Sequence, residues 1–143
     1  MRYWDSSALL PLLVKEPSSD AAAETLTEDP AIATWWGTPV ECVSAIARLE
    51  RDALLRHGDA AAALVRLRAA SVAWTEVPAT TAVREQAVRL VRSHPLRAAD
   101  ALQLAAAIVA SDFQPATLAF VTLDSRQGIA AEREGFSVIA PAV

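Results

Sequence analysis

One cysteine, one lysine, two histidines and four glycines are all this chain of 143 residues carries of those types. Cys42, standing alone, excludes an intrachain disulfide and any cysteine-based zinc site. His57 and His94 have no histidine or cysteine partner at ligand spacing, so neither is assigned a chemical role. The few glycines form neither a Gly-x-x-x-x-Gly-Lys loop nor a Gly-x-Ser-x-Gly elbow, which removes two large enzyme classes. No apolar run free of charge is long enough to span a bilayer, so no membrane role is expected. Lys15 and Glu16 interrupt the apolar opening segment early, which argues against a secretory signal and makes the cytoplasm the expected compartment. A net charge of −4 argues against a broad basic face for nucleic acid. It leaves open a nucleic-acid substrate held mainly through bound metal.

What is present is a core. Hydrophobic residues make up 53% of the chain and charged residues 21%, enough for a single ordered domain over residues 1–143. Arg2 to Trp4 reads as a first strand ending at Asp5. Ser6 or Ser7 opens a helix that Glu16-Pro17 closes, and a second helix fits Ser18 to Thr27. Ala31 to Trp35 is a second strand. Thr38-Pro39 starts a third helix, with proline at its favoured first position and Cys42, Ile46, Leu49 and Ala53 as its apolar stripe. His57-Gly58 ends that helix, and Asp59 caps a fourth reaching about Ala70. Val72 to Val77 is a third strand, and a fifth helix runs from Thr80 or Thr81 to His94. A sixth begins near Arg97 and turns Ala101, Leu104, Ala105 and Ile108 to one side. Thr117 to Leu123 is a nearly continuous apolar run, as expected of a parallel strand buried on both faces. Asp124, a short helix over Ser125 to Glu134, and a last strand over Phe136 to Ile139 complete the chain.

Alternating strands and helices imply a three-layer α/β/α fold around a parallel sheet. With the strand order 3-2-1-4-5, strands one and four are neighbours where the order reverses, and ligands bind outside their carboxyl ends. Asp5 and Asp124 end those two strands and would face each other across that crevice. Glu41 and Asp100 lie in the first turns of the third and sixth helices.

Capping explains each acid taken singly. Asp5 and Asp124 can cap the helices that follow them. Thr38 and Glu41 have the spacing of a capping box, and a carboxylate at Asp100 suits a helix dipole. Together they make a different demand. Two like charges about 6 Å apart repel by about 3 kcal/mol at an effective dielectric near 20. Four such groups at one sheet edge need protons or a counterion. Hard divalent cations prefer carboxylate and water oxygen, and they can orient a water on a phosphodiester.

The local sequences also resemble a known family. Tyr3-Trp4-Asp5-Ser6-Ser7-Ala8-Leu9 resembles the opening of PIN-domain ribonucleases, the toxin halves of VapBC-type toxin–antitoxin pairs. Glu41-Cys42-Val43-Ser44-Ala45-Ile46-Ala47-Arg48, Leu96-Arg97-Ala98-Ala99-Asp100-Ala101-Leu102-Gln103-Leu104-Ala105 and Val121-Thr122-Leu123-Asp124-Ser125-Arg126-Gln127 are similar to that family's later motifs, in order. The resemblance implies magnesium- or manganese-dependent cleavage of RNA, a homodimer, and a cognate VapB-type antitoxin. It implies an acidic tetrad of Asp5, Glu41, Asp100 and Asp124. Asp5 and Asp100 would ligate a first ion, with Asp124 and Glu41 holding a second or positioning water. Ser6, Ser7 and Thr122 would support the site, although local capping and turn hydrogen bonds explain them equally well.

Other readings stay in view. A receiver-type phosphoryl acceptor shares the architecture but wants a lysine after the last strand, and the only lysine is Lys15. A catalytically silent interaction module would keep the fold and lose the chemistry. Arg48, Arg97 and Arg126 lie near the acids in sequence, where salt bridges to those acids are the default expectation. Trp35-Trp36 reads as packing material rather than a base-stacking platform. The leucine-rich first helix is mostly core, with a residue or two left to line a groove for an antitoxin helix.

Overall fold

The computed structural model describes residues 1–142. Its elements, in chain order, are β1 (Arg2–Trp4), α1 (Ser6–Leu13), α2 (Ser19–Glu28), β2 (Ile32–Trp35), α3 (Thr38–Arg51), α4 (His57–Ser71), β3 (Thr75–Val77), α5 (Thr81–Ser93), α6 (Ala98–Ala110), a 3-10 turn (Pro115–Thr117), β4 (Phe120–Val121), α7 (Ser125–Arg133) and β5 (Val138–Ile139). All strand pairings are parallel, and the sheet order is β3-β2-β1-β4-β5, the expected one.

Side chains alternate across a strand, so adjacent residues of β1 feed two different cores. Tyr3 packs with Phe120, Ala33 and the inward faces of α5, α6 and α7. Trp4 packs with Val121, Ile32 and α1 to α4 on the other side. Both aromatic side chains are wholly buried. The sheet is thus the middle of three layers, and β1 at its centre carries Asp5 out at its carboxyl end. The Asp5 amide still donates to the Val121 carbonyl at 3.1 Å, which ties that exit to β4.

Several element boundaries differ from expectation for local reasons. The fourth strand shrinks to two residues because its backbone is claimed elsewhere. Pro115 starts a 3-10 turn before it, the Ser7 hydroxyl takes the Leu123 amide, and the Thr122 hydroxyl takes the Asp124 amide. The chain therefore leaves the sheet early and swings Asp124 over the carboxyl edge. Helix α3 stops at Arg51 instead of running to His57, with Ala53 in the left-handed region at φ 56°. His57 opens α4 rather than closing α3, its ring 2.7 Å from Glu50. Asp59 sits in the first turn of α4 instead of capping it.

Helix α3 starts from Gly37, and that glycine is there for space. A Cβ on Gly37 would lie 2.5 Å from Nε1 of the buried Trp35 ring. Gly37→Ala should therefore cost about 1–3 kcal/mol through overpacking. Denaturant unfolding measures it, and an unchanged midpoint would show that the indole moves aside freely.

Candidate functional site

Asp5 is the most enclosed of the four acids, with 4% of its surface exposed. It caps α1, accepting from the Ala8 amide at 3.1 Å on Oδ1. The same oxygen accepts from the Ser7 hydroxyl at 2.6 Å, and Oδ2 accepts from the Thr122 hydroxyl at 2.6 Å. An ionised carboxylate offers about four acceptor positions, so one on Oδ2 is left. Burial, the largest effect, raises the Asp5 pKa to about 6 against those three donors, and nearby Asp124 adds to the rise.

Asp124 caps α7, its Oδ1 accepting from the Arg126 and Gln127 amides at 2.9 and 3.2 Å. Oδ2 has no partner among the described residues. Capping and a place at the carboxyl edge of the sheet are thus compatible in both strand-end acids.

Glu41 departs from its expected capping box. Thr38 is the first helical residue rather than the cap, and its hydroxyl turns into the core instead. Thr34 Oγ1 lies 2.7 Å from both Thr38 Oγ1 and the Trp4 carbonyl oxygen. Glu41 is left to accept from Gln103 Nε2 at 2.6 Å on Oε2, with Oε1 unpartnered among the described residues. Its pKa rises to about 7, first through burial and then through repulsion by Asp5 and Asp100. The Gln103 amide and the Ser6 hydroxyl oppose that rise. Asp100 is raised too, by burial and then by Asp124, with Arg97 and Arg126 opposing.

The four acids therefore feel one another electrically, and none of them is paired in a salt bridge among the described residues. They are spread out rather than collapsed. Asp100 borders two adjoining hollows, one of about 400 Å³ shared with Asp124 and one of about 480 Å³ shared with Glu41 and Ser6. Among the described residues, no three histidine, cysteine, aspartate or glutamate side chains are gathered tightly enough to hold a metal ion as they stand. The donor chemistry nonetheless suits a hard cation: carboxylate oxygens with unused lone pairs, steadied by hydroxyls, and no soft ligand. Cys42, behind Glu41, is wholly buried, and its thiol is pushed up to about 12, chiefly by burial. It is no nucleophile at neutral pH.

Two residues that hold this site have no assigned role in the sequence reading. Gln103 is 1% exposed and joins three elements. Its Nε2 donates to Glu41 and, at 2.9 Å, to Thr38, while its Oε1 accepts from the Tyr3 hydroxyl at 2.6 Å. Burial, helped by Asp5 and Glu41, holds the Tyr3 pKa well above its ordinary value, so the phenol stays a donor. Gln127, also 1% exposed, donates from Nε2 to the Asp100 carbonyl at 2.9 Å and fastens α7 to the first turn of α6. A signal for Gln103 exists: it is the one polar residue in the otherwise apolar run from Ala101 to Ala110. A buried amide there needs partners.

The expected salt bridges of Arg48, Arg97 and Arg126 do not form, and all three side chains are exposed. His94 instead pairs with the half-buried Glu134 at the far end of α7, its Nε2 2.8 Å from that carboxylate. Trp35 is core, as expected, whereas Trp36 is 60% exposed. No helix among the described residues is long and apolar enough to cross a membrane.

Comparison with known proteins agrees with this architecture. The family model described as PIN domain matches residues 2–132. No curated protein matches the sequence. A solved toxin–antitoxin complex from Klebsiella pneumoniae contains a chain of similar fold, with a TM-score of 0.64, 17% identity, and 100% of each chain covered. At that identity the likeness is one of fold.

Proposed function

The chain belongs to the PIN domain family, and on that premise we propose that it is the toxin of a toxin–antitoxin pair, an endoribonuclease dependent on Mg²⁺ or Mn²⁺. PIN domains are in general nucleases that use divalent metals. One observation carries the reading further. Four acids repel one another at the carboxyl edge of the sheet, Glu41, Asp100 and Asp124 bordering two adjoining hollows and Asp5 enclosed, and among the described residues no cationic side chain is paired with them. Asp5 and Asp100 would hold a first ion, with Asp124 and Glu41 completing the set or orienting water. A divalent ion there supplies a Lewis acid that lowers the pKa of water and steadies charge on phosphate oxygen. Ser7 and Thr122 hold both oxygens of Asp5 in place and leave one acceptor position on Oδ2 unused. Gln103 likewise anchors Oε2 of Glu41.

The reading extends to partners: a cognate antitoxin and a second copy of the chain. An apolar hollow of about 500 Å³ lined by Leu9, Leu12, Leu26, Ile32 and Trp74 would seat the apolar side chains of an antitoxin helix.

The purified chain, freed of any partner, should cut RNA with magnesium or manganese and stop on addition of EDTA. Protons compete with the cation for the same oxygens. Since Asp5 and Glu41 are raised to about 6 and about 7, cutting at limiting metal should climb as pH rises through that window. More manganese should move the climb to lower pH. A pH profile indifferent to metal concentration would detach these acids from the cation, and an absence of cutting under all these conditions would leave a non-catalytic binding module.

A further inference from the structure

The acid site lies between exposed arginines on two sides, and we infer that they form a phosphate track, Arg48 on one side of Asp100 and Arg97 with Arg126 on the other. The inference rests on the nuclease reading and adds to it how an RNA strand is held. Arg48 lines the hollow that contains Glu41, Ser6 and Ser44, while Arg97 and Arg126 line the hollow that contains Asp124 and Ser125. The two hollows meet at Ala99 and Asp100, which border both. A strand crossing the acids from one hollow to the other would bring its flanking phosphates to guanidinium groups before and after the bond to be cut.

Two observations support this use. None of the three guanidinium groups is engaged in a salt bridge or side-chain hydrogen bond among the described residues, although four carboxylates are close by. Ion pairing with the acids would neutralise both groups; its absence leaves the forks open for the bidentate contact that phosphate favours. Finally, a chain of net charge −4 repels a polyanion as a whole, so attraction has to be local.

Binding can be separated from cutting. In an Asp5→Asn background with magnesium present, anisotropy of a labelled mixed-sequence single-stranded RNA of about a dozen nucleotides reports affinity as salt is varied. Each of Arg48→Ala, Arg97→Ala and Arg126→Ala should weaken binding about fivefold near 0.1 M salt. Each should also flatten the slope of log affinity against log salt by about 0.7, the value for one released counterion on a single strand. Lysine at the same positions should restore the slope. Arginines that served only to balance the acids would leave the slope where it was, and that result would overturn the track. So would a slope that responds on one side of Asp100 alone. Slopes that move while the parent chain, with Asp5 intact, cuts no RNA would keep the track and sink the nuclease reading. Cutting with unmoved slopes would do the reverse.

Discussion

Asp5→Asn should make the protein more stable in EDTA at pH 7 while lowering RNA cleavage by about a thousand-fold or more, about 4 kcal/mol of transition-state stabilisation. The gain in stability follows from the raised pKa. A carboxyl at about 6 in the fold and near 3.8 in the unfolded chain favours folding fully below pH 4. That contribution is lost as pH rises through 6. At pH 7 the ionised group costs the fold about 3 kcal/mol. Asparagine carries no charge to desolvate. Its Oδ1 can keep the Ser7 and Ala8 donors, but its amide nitrogen must face Thr122, whose hydroxyl now donates to Asp5 and receives the Asp124 amide. Turning that hydroxyl consumes part of the gain. A net rise of about 2 kcal/mol, about 6 °C in melting temperature, is the expected balance. Calorimetry of parent and variant in EDTA should show the two curves converging as pH falls toward 4. A variant that melts lower than the parent at pH 7 would mean that burial of this charge is already compensated. A variant that cuts as well as the parent would remove Asp5 from the chemistry.

The same trade explains which parts of this molecule could be read from its sequence. Strand and helix periods are local, and parallel connections leave few topologies. The sheet order and the two-sided burial of Tyr3 and Trp4 were therefore within reach. So was the position of Asp5 and Asp124 at the ends of neighbouring strands, because capping and the crevice call for the same residue in the same place. The turn at 52–56 carries no glycine or proline, and a left-handed Ala53 is not visible in a sequence, so nothing local marks the end of α3 at Arg51. Thr38 and Glu41 satisfied the capping-box spacing and still do something else. Their partner is Gln103, on a helix that meets them only in the folded chain. The free state of Arg48, Arg97 and Arg126 is likewise tertiary: spacing says that an arginine can reach an acid, and only the fold shows that it does not.

Gln103→Leu carries the second large effect, because one amide serves the buried Tyr3 and Thr38 and the half-buried Glu41. Leucine matches the volume of glutamine closely but leaves the Tyr3 hydroxyl without an acceptor and Glu41 without its Gln103 donor. Each orphaned polar group costs about 1–3 kcal/mol, so a loss of about 3 kcal/mol is expected. Cleavage should fall with it, by about a hundred-fold, since a Glu41 released from its anchor is no longer held in place at the hollow it borders. A merely structural role and a positioning role separate through Tyr3. Tyr3→Phe removes the phenol that fixes the amide and leaves the Gln103 nitrogen able to reach Glu41. It should cost about 1 kcal/mol of stability and should raise the metal concentration needed for half-maximal cutting. In the double variant the phenylalanine removes the orphaned hydroxyl that leucine creates, so the two losses should fall short of additive by about 1 kcal/mol. Cutting in the double variant should nevertheless be no better than in Gln103→Leu alone, because Glu41 has still lost its donor. Full additivity in stability would place Tyr3 and Gln103 in separate roles. Restored cutting in the double variant would show that Gln103 serves the core and leaves Glu41 to orient itself.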